Sequence, residues 1–253
     1  MALMTPFLFP PGFQNILSDQ TFLTELKLKR ISMINKIYRL TALMACSLVV
    51  LFFTPFHSQA SVGDTFTKDQ LKYTVLFEDN TAQTGTVSVE SKSKNISGII
   101  TIPETIERDG YTYSVMMIPD FAFKECKELT GITISKSITS IGEWAFYRCL
   151  HLKNVNIPNK ITTIKCAVFC CCWDLEEITI PNNVTEIDFA AFAFCCNLKE
   201  VEIPESMTRL GDAAFADCRS LTFVHFKGSK PEMGQGVFAD CDLLNKDFLD
   251  SYE

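Results

Sequence analysis

Ala145-Phe146-Tyr147-Arg148-Cys149-Leu150-His151-Leu152-Lys153-Asn154-Val155-Asn156-Ile157-Pro158 decides the fold, because the same frame returns 23 residues later as Val168 to Pro181 and again as Ala191 to Pro204. Cys126, Cys149, Cys172, Cys195, Cys218 and Cys241 mark the period and serve as position zero. Position −3 is Phe123, Phe146, Phe169, Phe192, Phe215 and Phe238, and position +3 is Leu129, Leu152, Leu175, Leu198, Leu221 and Leu244. Position +6 is Ile132, Val155, Ile178, Val201 and Val224, and position +8 is Ile134, Ile157, Ile180, Ile203 and Phe226. Anchors in register over six periods mark a stack of repeated supersecondary units.

The spacing predicts the geometry of one unit. Apolar residues at +6 and +8 between variable residues at +5 and +7 follow the period of two of a strand with one buried face. Pro158, Pro181 and Pro204 at +9 then end the strand, since proline has no amide hydrogen for a ladder. Apolar residues at +12 and +15, such as Ile161 and Ile164 or Val184 and Ile187, turn inward on the next side of the coil. Segments such as Glu143-Trp144-Ala145-Phe146 and Asp212-Ala213-Ala214-Phe215 are expected to form short helical turns on the side opposite the strands. One such coil cannot bury its own apolar side, whereas stacked coils bury a continuous one, so stability is expected to come mainly from neighbours.

The pattern Ala-Phe-x-x-Cys-x-x-Leu-x-x-Ile-x-Ile-Pro-x-x-Ile-Thr-x-Ile-Gly resembles the BspA-type leucine-rich repeat, a family of surface proteins of bacteria and some protozoa. The resemblance runs from Ile99 to Leu244. It departs from the commoner leucine-rich pattern in one respect: the asparagine at +11 appears only as Asn183, so the usual buried asparagine ladder is absent. The resemblance implies a β-rich α/β repeat solenoid with short strands on a concave face, and an adhesive or partner-binding role.

Outside the repeats, 47% hydrophobic residues and 21 Phe over 253 residues suffice for one folded domain plus a leader. Residues 1–60 hold five Lys/Arg and two Asp/Glu, which leaves 61–253 near −10, with 18 Lys/Arg against 28 Asp/Glu. So acidic a remainder argues against nucleic acid as a partner. Within 1–60, Lys36 and Arg39 precede the apolar run Leu40 to Phe53 and then Ser58-Gln59-Ala60, the order of a signal peptide with cleavage after Ala60. Fourteen helical residues reach only about 21 Å, short of a hydrocarbon core of about 30 Å. Met33 would also serve as a start for such a leader, with 1–32 then lying upstream of it, and Leu43-Met44-Ala45-Cys46 only loosely matches a lipoprotein box. Residues 61–118 read as an N-terminal cap with the first repeat strand and a hairpin around Asp109-Gly110, 119–244 as the solenoid, and 245–253 as a tail.

The candidate chemistry is sparse. Six of the eleven cysteines occupy one repeat position beside Phe and Leu, which reads as a buried thiol ladder. Cys166, Cys170, Cys171 and Cys196 lie on or near the helical side and are expected to be the more reactive thiols. Their spacing fits zinc only loosely, and a Cys171 to Cys196 disulfide is the other reading. The expectation is no metal and no cofactor. His57, His151 and His225 have no nucleophile fixed by spacing, and no metalloprotease, nucleophile-elbow or phosphate-loop motif occurs, so an enzyme is not expected. Asn95-Ile96-Ser97 and Asn183-Val184-Thr185 match the glycosylation sequon, which matters only in a eukaryotic source.

The surface best suited to binding is the outward strand face at +5 and +7, where residues change from coil to coil. Asn154, Asn156, Glu177, Thr179, Glu200, Glu202, Phe223 and His225 are its candidate contact residues. Glu177, Glu200 and Glu202 make an acidic stripe, and Phe223 could anchor its end. The expected partner is a protein or a glycan, with any membrane association made only through the leader or surface attachment. A passive spacer, or a fragment of a longer surface protein, is the competing reading.

Overall fold

The computed structural model describes residues 62–245, which fall within one compact unit. The proposed leader, its cleavage after Ala60, Cys46 and the last eight residues lie outside the described residues.

The chain starts with β1 (Thr65–Lys68), β2 (Leu71–Asp79) and β3 (Thr84–Ser91), followed by β4 (Gly98–Thr101), β5 (Thr105–Arg108) and β6 (Tyr111–Ile118). Five of these form one sheet in the order β1-β2-β3-β6-β5. The β2–β3 and β5–β6 pairs are antiparallel hairpins, and β3 and β6 meet in parallel. The β5–β6 turn runs through Asp109 and Gly110, both at positive φ, as a two-residue hairpin turn requires. Alternation in β2 and β6 buries Leu71, Tyr73, Val75, Tyr113 and Val115, and a shift of register within the β3–β6 pair then turns Ile118 inward.

The coils contribute β7 (Leu129–Thr133), β8 (Ser140–Ile141), β9 (Asn154–Val155), β10 (Thr163–Ile164), β11 (Glu186–Ile187), β12 (Glu200–Ile203), β13 (Arg209–Leu210), β14 (Phe223–Phe226) and β15 (Glu232–Met233). All of their pairings are parallel, each strand matched to its equivalent one coil on. Two strand faces result. The first holds β4-β7-β9 and, separately, β12-β14; the second holds β10-β11-β13-β15. The cap feeds both, because β4 pairs with β7 and β6 with β8.

The third side of each coil differs from expectation, because none of the described residues is helical. Trp144, Ala167, Ala190 and Ala213 at −5, and Arg148, Cys171, Phe194 and Asp217 at −1, hold φ between 49° and 61°, the left-handed region. A right-handed helix cannot pass through such residues. What forms instead is a ribbon of consecutive turns that divides its amides between two partners. Those at even positions bond inside the coil, as Lys124 N–H to Phe121 O (3.1 Å) and Cys126 N–H to Phe123 O (3.1 Å). Those at −5, −3 and −1 donate to the next coil, as Phe146 N–H to Val168 O (2.9 Å) and Arg148 N–H to Cys170 O (2.9 Å). A helix would spend every one of these amides on its own carbonyls; the ribbon spends half of them joining coils.

Two side-chain ladders run behind the ribbon. Phe123, Phe146, Phe169, Phe192, Phe215 and Phe238 stack ring on ring at centroid spacings of 5.1–5.6 Å and interplanar angles of 4–18°. Each such pair contributes about 0.5–1.5 kcal/mol beyond burial of the rings. The position-zero cysteines are buried beside them, and their thiols donate to the Phe carbonyl one coil back: Cys149 to Phe123 O (3.1 Å), Cys172 to Phe146 O (3.3 Å), Cys195 to Phe169 O (3.3 Å) and Cys218 to Phe192 O (3.3 Å). That explains why cysteine, rather than alanine, suits this position. Burial pushes the Cys149, Cys172, Cys195 and Cys218 thiols well above the ordinary thiol range, so they stay protonated donors.

Candidate functional site

The first strand face is built by register. Ile99, Gly131 and Asn154 are matched at +5, Thr101 and Thr133 at +7, and further along Glu200 faces Phe223 and Glu202 faces His225 across the β12–β14 ladder. Residues at +6 and +8 are buried, except Val155, which is half-buried, so those at +5 and +7 point outward; β12 and β14 both alternate exposed and buried residues without a break. Asn154, Glu177, Thr179, Glu200, Glu202, Phe223 and His225 are all exposed on this face.

Asn156 has a different job. Its side-chain amide donates to Ile134 O (2.7 Å) and its carbonyl accepts from Ile134 N–H (2.7 Å). Both backbone groups that the next rung would use are thereby taken, and the β4-β7-β9 ladder stops at Val155. Glu177–Ile180, expected to be a strand like its neighbours, is not paired into either sheet among the described residues. The face is therefore divided into an N-terminal and a C-terminal half. Open crevices lie along the division. One of about 490 Å³ is bounded by Ile99, Thr133, Asn154, Asn156, Glu177 and Thr179, and one of about 320 Å³ by Lys153, Glu176, Glu177, Lys199 and Glu200.

The charges are unevenly matched. Lys199 pairs with Glu176 (3.3 Å) and Lys227 with Glu202 (2.5 Å), whereas Glu177 and Glu200 have no ion-pair partner among the described residues. At the C-terminal end the Phe223 ring, 57% exposed, lies parallel to the His225 ring at 6.2 Å. Ile99, 76% exposed, stands at the opposite end. Sequence reasoning passed over Ile99. The adjacent Ile99 and Ile100 gave the signal, since a period of two forces one of them outward.

The profile of the BspA type leucine-rich repeat region matches six copies over residues 116–245. The chain belongs to this family. Among solved structures, a leucine-rich repeat protein from Bacteroides ovatus shares 30% identity at a TM-score of 0.59, over 71% of this chain and 45% of the other. A leucine-rich cell surface protein from Faecalibacterium prausnitzii shares 28% identity at 0.58, over 74% and 54%. The leucine-rich repeat protein of T. pallidum, 22% identical at 0.55 over 74% and 94%, shares the fold. The chain spans about half the length of the first two. No curated protein matches the chain.

Elsewhere the BspA-type frame carries little that could react. His151 Nδ1 lies 2.9 Å from Asp174 Oδ2, and Asn197 Nδ2 donates to Asp174 Oδ1 (3.4 Å), which ties three coils together at +2. Asn183 Nδ2 donates to Ile161 O (2.7 Å), a single rung of the ladder that other leucine-rich proteins repeat, while Asn95 of the other sequon is exposed. Cys166 and Cys196 are half-buried, but Cys170 and Cys171 are buried, contrary to the expectation that they would be open thiols. The turn ribbon is the cause: it directs these side chains toward the neighbouring coils, where a helical turn would have pointed part of its surface outward. Among the described residues no group of three or more His, Cys, Asp or Glu could hold a metal ion, and no helix is long and apolar enough to cross a membrane.

Proposed function

We propose that the chain is an exported, non-enzymatic binding module that engages a protein or glycan partner through the strand face, the concave side of such stacks. The observation that carries this reading is the contrast within each strand: +6 and +8 hold a buried apolar frame, while +5 and +7 present different exposed groups in each coil. A fixed scaffold with freely varied outward positions is what a recognition array needs. Ile99 and Phe223 supply apolar anchors at the two ends, and the unpaired Glu177 and Glu200 carboxylates between them favour a partner with basic groups.

The test is capture of purified matrix proteins and glycans on the immobilised full chain, compared with Glu177→Ala, Glu200→Ala and Phe223→Ala. Weakened capture with an unchanged melting curve is expected. A partner held equally well by all three variants would sink the strand-face reading, and absence of capture across the panel would favour a spacer.

A further inference from the structure

β4 stands at the end of its ladder. It pairs with β7 on one side only, and the order β4-β7-β9 leaves its other edge without a strand. The direction of each backbone group on β4 follows from the ladder it does make. Ile102 N–H, just past the strand, donates to Thr133 O (2.9 Å), so by the period of two Ile100 also turns its N–H and C=O toward β7. Ile99 and Thr101 then turn theirs the other way. Those backbone groups have no hydrogen-bond partner among the described residues.

An open edge of this kind is a template for another strand. Beside it lies a crevice of about 380 Å³, bounded by Ile99–Thr101, by Lys68, Asp69 and Gln70 of the β1–β2 turn, and by the apolar Leu71 and Ile106. The turn is tied to the segment that leads into β4: Gln70 O accepts from Lys92 N–H (2.9 Å) and Gln70 Oε1 from Ser97 N–H (3.3 Å). The wall and the edge thus belong to one framework. Ile99 borders both this crevice and the one along the strand face, so a strand seated here would continue the first face by one rung. The space suits a single strand. A second copy presenting its own β4 would bring its β7 along, about 4.8 Å behind, into the Lys68–Gln70 wall, whereas a lone extended segment brings nothing behind it. Side chains of that segment alternate, one set toward Leu71 and Ile106 and the other beside Ile99, which calls for apolar residues at alternate positions.

We propose that the open edge of β4 is a strand-addition site, which takes one extended segment of a partner protein, apolar at alternate positions, through the backbone groups of Ile99 and Thr101. This goes beyond the strand-face reading, because main-chain hydrogen bonds rather than outward side chains carry the affinity.

The experiment pans linear peptides displayed on phage against the immobilised full chain, with counter-selection on Thr101→Pro. Proline there removes an outward amide and puts its ring in the way of a strand, while the Ile100 and Ile102 amides still reach β7; an edge position whose N–H faces solvent tolerates it. Expected are peptides with alternating apolar residues that bind the wild type and Thr101→Ala alike and lose at least about tenfold in affinity on Thr101→Pro. Amide exchange on the wild type with the tightest peptide is the second measurement: Ile99 and Thr101, fast in the free chain, should slow by at least about tenfold, while Ile100 and Ile102 are slow throughout. It needs no variant, so it decides alone if circular dichroism shows Thr101→Pro to be unfolded. Glu177→Ala, Glu200→Ala and Phe223→Ala should hold the same peptides as the wild type does, which separates a failed strand-face reading from a failed edge. Recovery of no peptide, peptides that leave the Ile99 and Thr101 amides exchanging fast, equal binding by a folded Thr101→Pro, or loss of the peptides on the three face variants overturns the assignment.

Discussion

Replacing Phe192 by leucine isolates the contribution of ring stacking. Phe192 is fully buried between Phe169 at 5.4 Å and Phe215 at 5.1 Å, with the three rings within 14° of parallel. Leucine keeps an apolar side chain at the site but removes both ring pairs, each worth about 0.5–1.5 kcal/mol, and forfeits part of the transfer energy, about 1 kcal/mol. The expected cost is about 2–4 kcal/mol. Phe238→Leu provides the control, since Phe238 is also buried at 4% exposure but stacks on Phe215 alone, at 5.6 Å. Its cost should be lower by one ring pair, about 0.5–1.5 kcal/mol. Urea unfolding of the full chain followed by circular dichroism reads both, the midpoint shifting at constant slope. Equal costs at the two positions, or a Phe192→Leu cost below about 1 kcal/mol, would show that the rings act as generic apolar filling.

The ribbon predicts that Ala213→Gly is neutral or stabilising by up to about 1 kcal/mol, because glycine relieves the left-handed φ of 54° and Gly236 already occupies the equivalent position; in a helix the change would cost about 1 kcal/mol, and a melting point lowered by that much would contradict the ribbon. Cys166, pushed up to about 12 by burial and then by the Glu143 and Asp188 carboxylates, is almost wholly neutral at pH 7. Its alkylation rate should therefore climb about tenfold per pH unit and still be rising at about pH 10, where an ordinary thiol has levelled off; a plateau near pH 9 would refute the raised value. Asn156→Ala leaves the Ile134 amide and carbonyl without their partner and should cost about 1–3 kcal/mol in denaturant midpoint, an unchanged midpoint counting against the clamp. Leu175→Asp puts a carboxylate into the fully buried +3 row and should abolish cooperative unfolding, while the exposed Glu177→Ala stays within about 0.5 kcal/mol; a wild-type melt for Leu175→Asp would break the register.

Much of this was legible in the primary structure because burial repeats. The Phe, Cys and Leu rows were readable from spacing alone, as was the alternation that exposes Glu200 and Glu202 and buries Val201 and Ile203. The turn ribbon was not, since Glu143-Trp144-Ala145-Phe146 has a composition that suits a helix equally well. The difference lies in which carbonyl each amide reaches, and in left-handed residues such as Trp144, Cys171 and Phe194 that no glycine advertises. For the same reason Cys170 and Cys171, read as lying on or near a helical side and as the more reactive thiols, did not disclose their burial. On the strand face, Asn156 counted as one more outward polar side chain because the +7 position is outward, but an amide of its length can reach back to the preceding coil. Nor did Glu177-Ile178-Thr179-Ile180, as good a strand pattern as any in the chain, disclose that it would stand unpaired.

That unpaired segment of the first face has a mechanical consequence. The ribbon crosses every junction from Phe121 to Ala239 without omission, three amide bonds of 2.7–3.0 Å at each, while the first strand face lacks its ladder between Val155 and Glu200. The stack is thus bound like a book, stitched along the back and free at one opening in front. The opening interrupts the first face alone, since the β10-β11-β13 ladder of the second face runs unbroken through the same coils. The leaf bearing Ile99 and Asn154 and the leaf bearing Glu200 and Phe223 are thus joined through the ribbon and the second face rather than through their own strands, with Glu177 on the fold line.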